Sequence, residues 1–129
     1  MPLFDRHLAQ AERNERFYNS LDIRTTEFLD WAITALFYSV LHYVDAYLAA
    51  SMQPADSHPR NHVQRGLWIG RVSELNPIWA EYLELKNYSE DARYELIDFT
   101  PQQVSDFYNL RFKAVKEHVR NLLNLPAFP

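Results

Sequence analysis

The chain has 129 residues, 47% hydrophobic and 15% aromatic, with a formal net charge of -4. That length suits one domain, expected to span 1–129, and the composition excludes disorder, which goes with low hydrophobicity and high net charge. The absence of cysteine excludes a disulfide framework, a thiolate zinc site and a thiol nucleophile, and it agrees with an expected cytoplasmic location. Net acidity supplies no global basic field for a duplex, so any nucleic-acid contact has to come from a local cluster.

Met1-Pro2-Leu3-Phe4-Asp5-Arg6-His7 has neither a basic start nor an apolar run, so no signal peptide is expected. A first helix is predicted from about Leu3 to Ser20, because Leu3, Phe4, Leu8, Ala11 and Phe17 recur at helical spacing. A second runs from about Glu27 to Ser51 and is apolar nearly all round. Its uncharged stretch from Trp31 to Val44 is 14 residues, short of the roughly 18 that suggest a membrane span. The expectation is therefore the central helix of a bundle, with no membrane association.

Ser57 is the expected N-cap of a third helix, with Pro59 in its first turn and an end near Leu75. Asn76-Pro77 opens a fourth helix that carries Ile78, Trp79, Tyr82 and Leu83 towards Tyr94. Thr100-Pro101-Gln102-Gln103 reads as a capping box for a fifth helix reaching about Leu123, with Pro126 preventing continuation. No strand alternation is seen. The expected fold class is all-α, a single antiparallel bundle of about five helices.

Polar chemistry gathers in four places. On the second helix Thr34, Tyr38, His42 and Asp45 form one stripe amid apolar residues. His42 suits a general base oriented by the carboxylate one turn away, or a hydrogen-bond network that fixes register. At the start of the third helix His58, Arg60, His62 and Arg65 make a basic edge beside exposed N–H groups, either a phosphate site or a solvated face. His58 and His62 offer two corners of a metal site, but no H-E-x-x-H pattern is present, and neither metal nor cofactor is expected.

Near the end of the fourth helix, Arg93 suits a phosphate clamp or a stacked base with Tyr94 as cover, or else an ion pair with Glu90 or Asp91. On the fifth helix Val104, Phe107, Tyr108, Val115, Val119 and Leu122 share one face. Asp106, Asn109, Lys113, Lys116, Glu117 and Arg120 lie opposite. Arg111 and His118 fall on the apolar face, so they need a partner acid such as Asp45, a solvated cleft or a protein interface.

Taken together these segments resemble the HEPN family, small all-helical bundles common in prokaryotes, over Ala11 to Leu123. The resemblance rests on Asp30-Trp31-Ala32, on Phe37 through His42, on Ala46-Tyr47-Leu48, on His58 with Arg60 and Arg65, and on Ser89 through Tyr94. Many such proteins are metal-independent ribonucleases of toxin or defence type that act as homodimers. Their motif is an arginine and a histidine separated by four to six intervening residues, a spacing that Arg111-x6-His118 meets. The resemblance implies catalysis by Arg111 and His118. The histidine would move protons during attack by the ribose 2'-hydroxyl, and the arginine would stabilise phosphate charge. Phe112 and Arg120 depart from the polar residue and tyrosine often found beside that motif. Other HEPN-like proteins lack the nuclease motif. For them the implied role is a noncatalytic module that binds a nucleotide or other phosphate ligand, RNA, or a protein partner. Its ligand-binding residues would be Tyr38, His42, Asp45, His58, Arg60, Arg65, Arg93 and Tyr94.

Overall fold

A computed structural model describes residues 3–52 and 57–125. Among these the chain is helical, without a strand. Helix α1 is Leu3–Asn19, α2 is Leu29–Ser51 and α3 is His62–Arg71. A 3-10 turn over Ser73–Ile78 leads into α4, Trp79–Tyr94. The last helix, α5, is continuous but changes winding. It is α-helical over Pro101–Asp106, π-helical over Phe107–Phe112 and α-helical again over Lys113–Leu122. Pro126, expected to stop this helix, lies outside the described residues.

Three boundaries differ from expectation. Helix α4 opens at Trp79 behind Ile78 and not at Asn76-Pro77, because both of those residues are taken up in the 3-10 turn. Helix α3 is capped by Asn61 and not by Ser57, with the Asn61 side chain accepting from the Gln64 N–H at 2.8 Å. Gln64 returns through its Oε1 to the Arg60 N–H at 2.6 Å. A cap at Ser57 would place Arg60 at the reciprocal position, and a guanidinium has no acceptor to offer. The helix also ends at Arg71, before Leu75. Pro77 cannot donate an intrahelical bond, and the chain crosses it inside the 3-10 turn. The Thr100–Gln103 capping box forms as expected, with both reciprocal bonds present.

Helix α2 is the inner element of the bundle. Ala32, Ile33, Leu36, Phe37, Val40, Tyr43, Val44 and Leu48 are fully buried on it. Leu29–Ser51 is long and apolar enough to cross a membrane, and most of it is enclosed by the other helices. Helix α1 lies antiparallel to it, because His7 meets His42 while Ala11 meets Ser39. The Ser39 hydroxyl donates to the Ala11 carbonyl at 2.7 Å, a contact that small side chains permit by letting the two backbones approach. Tyr82 of α4 packs on Phe37, and α5 contributes Val104, Phe107, Phe112, Val115 and Val119 to the same core.

The π-helical turn explains part of that packing. Phe107 and Phe112 are five residues apart, and an i→i+5 winding turns both inward. Three side chains depart from the expected faces. Phe17 is 47% exposed, and Tyr18 is buried in its place against Tyr108, with ring centroids 4.7 Å apart. Arg120, expected on the polar face, is buried near Glu12 of α1. Lys116 is also drawn inward, where its Nζ donates to both oxygens of buried Glu15 at 2.8 and 3.0 Å.

Candidate functional site

Three separated parts of the chain meet around Asp45. His42 and Asp45 lie one turn apart on α2, His7 reaches them from α1, and His58 precedes α3. Asp45 is 1% exposed and accepts a bidentate pair from Arg65, Nε to Oδ1 at 2.7 Å and Nη2 to Oδ2 at 2.9 Å. His58 Nε2 stands 3.4 Å from Oδ2 of the same carboxylate. His7 Nδ1 lies 3.0 Å from His42 Nδ1, and the His7 ring stacks against His42 and His58 at centroid distances of 5.2 and 4.9 Å. The ligand-capable atoms of His7, Asp45 and His58 lie within 4.8 Å of one another.

This arrangement revises two readings of the sequence. The carboxylate expected to orient His42 instead grips Arg65, while His42 takes His7 as its hydrogen-bond partner. Arg65 was a candidate for phosphate, but two of its donor nitrogens are committed to Asp45 and it is 5% exposed. The pair therefore supports the site from beneath. Burial between α1 and α2 pushes His42 down to about 4, with the nearby His7 acting in the same direction. Desolvation also lowers His7. Both imidazoles are therefore neutral near pH 7.

Further along the same flank, Arg93 is held between two tyrosines. Its Nη1 donates to the Tyr38 hydroxyl at 2.7 Å and its Nε to the Ser89 carbonyl at 3.2 Å. The guanidinium carbon lies 5.4 Å from the Tyr38 ring centre and 5.2 Å from that of Tyr94. Glu90, one candidate partner for Arg93, bonds Lys86 at 2.7 Å. Tyr94 is 71% exposed. His62 links this group to the first: its ring lies 3.4 Å from Arg65 Nη1. After burial, the charges of Arg65, Lys86 and Arg93 all favour its neutral form. Arg60 is exposed near the start of α3.

The other pair of candidates lies on α5. Arg111, for which Asp45 was one expected partner acid, pairs with Glu84 of α4. It lines a cleft of about 260 Å³ with Glu84, Tyr88, Gln103, Asp106, Phe107 and Leu110. His118 Nε2 lies 2.6 Å from the Glu74 carbonyl oxygen, so this nitrogen carries the proton and donates it. Arg111 is thus tied to α4, and His118 to the 3-10 turn.

His7 escaped the sequence reading, although a signal was present. It falls in phase with Phe4, Leu8 and Ala11, on the face that packs against α2. Glu15 lies on the same face, one turn after Ala11, and was missed in the same way. The pairing of His58 with His62 did not materialise. His58 turns towards Asp45 and His7, whereas His62 faces Arg65 and Phe37.

The fold and site define an all-helical bundle with a buried histidine–carboxylate–arginine cluster and an arginine–tyrosine clamp beside it. No family model matches the chain, and neither does any curated protein or solved structure.

Proposed function

We propose that this chain is a HEPN-like, noncatalytic module that binds a nucleotide or nucleotide-like phosphate ligand on the flank formed by Tyr38, His62, Arg93 and Tyr94. The observation that carries the reading is the clamp: a guanidinium fixed by one tyrosine and stacked on a second that is 71% exposed. Such a pair offers a charge for phosphate and an open aromatic face for a base. Tyr38 and Ser89 hold Arg93 in place, so little side-chain freedom is lost on binding. His42, Asp45, His58 and Arg65 serve as the support that sets α3 against α2, and Arg60 is an exposed charge just before α3. A thermal-shift and titration series with nucleoside mono-, di- and triphosphates tests this. At least one of them should raise the melting temperature. Arg93→Ala should weaken its binding by at least tenfold, and Tyr94→Ala by a smaller factor. Silence across the series, or full affinity in Arg93→Ala, rejects the reading.

A second reading, a dimeric metal-independent ribonuclease of toxin or defence type, is supported by one feature of α5. Arg111 sits within the π-helical turn at a cleft, and π turns inside α-helices recur at functional sites. In this reading phosphate displaces Glu84 from Arg111, and His118 moves the proton. End-labelled RNA incubated in EDTA should then be cut by the parent protein and left intact by His118→Ala. Cleavage by both proteins, or by neither, removes this reading.

A further inference from the structure

The cluster around Asp45, in which His7 and Asp45 are buried and His58 is exposed, has a chemistry that nucleotide binding does not use. We propose that His7, Asp45 and His58 form a binding site for a divalent transition ion of the zinc type, with His42 and Arg65 as the groups that orient its ligands. Neither the clamp nor the α5 cleft supplies a ligand to it.

His7 carries an orphaned atom. His7 is 8% exposed, and its Nε2 is buried without a hydrogen-bond partner among the described residues. A polar atom in that position normally finds a partner or a ligand. Its other nitrogen, Nδ1, faces His42 Nδ1 at 3.0 Å, so one of these two atoms must donate to the other. When His7 Nδ1 carries the proton, His42 accepts it and His7 Nε2 presents a bare lone pair. This is the tautomer a metal requires. A histidine ligand typically donates its second ring N–H to a fixed acceptor in this way.

The remaining ligands fit the same scheme. Two ligand atoms each about 2.1 Å from a tetrahedral zinc ion stand roughly 3.4 Å apart. His58 Nε2 and Asp45 Oδ2 are 3.4 Å apart. The ligand-capable atoms of all three residues lie within 4.8 Å of one another. Arg65 fixes the Asp45 carboxylate through both oxygens, as an outer partner does for a ligating carboxylate. Two imidazoles and one carboxylate are a common zinc set, and they leave the fourth position open to water or an incoming group. The other charges facing the site are Arg65 and Arg6, both cationic, so the affinity is set by the ligands and not by a general negative field.

Nothing in the order of the sequence announces this set. The ligands lie on α1, on α2 and in the segment before α3, at positions 7, 45 and 58. The test is titration of the full chain, dialysed against EDTA, with zinc chloride by calorimetry and with cobalt(II) by visible absorption. The expected result is one ion per chain, with the intense visible bands of a tetrahedral cobalt site. His58→Ala, at a side chain that is 43% exposed and so removable without emptying the core, should weaken binding by at least tenfold. His42→Asn should weaken it as well, because the outer acceptor is altered. Absence of saturable binding up to millimolar zinc overturns the proposal. So does unchanged binding in His58→Ala, which would place the ion elsewhere.

Discussion

His7 and His42 meet Nδ1 to Nδ1 in the space between α1 and α2, and the hydrogen between them belongs to one ring at a time. The native fold therefore disfavours protonation of this pair, while the unfolded chain does not. His42 is pushed from 6.5 to about 4, chiefly by burial. Because its folded value is depressed, the unfolded state binds more protons between those two values, and stability rises with pH across that window. We predict that stability is fully present above pH 6.5, falls as the pH drops towards about 4, and then loses no more through this group. The loss attributable to His42 should be on the order of 2 kcal/mol. Urea unfolding at pH 7 and pH 4.5 measures it, and His42→Asn should flatten the difference. An equal fall in parent and variant would show that other groups carry the acid sensitivity. At this scale the sequence was legible in residue type and not in pairing. The α2 stripe and the basic edge before α3 could be read from spacing. That Asp45 would choose Arg65 over His42 depended on how α3 docks, which spacing along one helix does not contain.

The helices themselves were more legible than their ends. Apolar periodicity is a property of many residues together, so a single misjudged side chain such as Phe17 does not hide α1. A boundary depends on one or two groups, and two caps can compete a turn apart. Asn61 prevailed at α3 because Gln64 can reach back to the backbone. Asn61→Ala should therefore lower stability by about 1 kcal/mol. Thermal or urea unfolding checks this, and an unchanged midpoint would show that the cap contributes nothing. The π-helical turn of α5 was not legible at all. Spacing of 100 degrees per residue holds for one winding throughout, and on that spacing Arg120 and Lys116 fall on the solvent side. One wide turn at Phe107–Phe112 shifts the downstream phase, and both side chains come round to Glu12 and Glu15 of α1.

For the whole molecule, the all-helical class and the central place of α2 followed from composition and from a helix apolar on every side. What composition could not separate was apolar surface from apolar core. Phe28, Trp31, Tyr94 and Ile97 remain exposed, and Leu96 is 97% exposed with a positive φ of 52°. Helix α5 shows how the bundle accommodates neighbours that demand different faces. Its Phe107 packs on Tyr88 of α4, while Lys116 and Arg120 answer to α1 and His118 to the 3-10 turn. The wide turn works as a splice between two phases, like a vernier that lets one rod be read against two scales. A helix wound evenly through this stretch would carry Lys116 and Arg120 away from Glu15 and Glu12, so the wide turn is what lets one helix lock onto two neighbours at once.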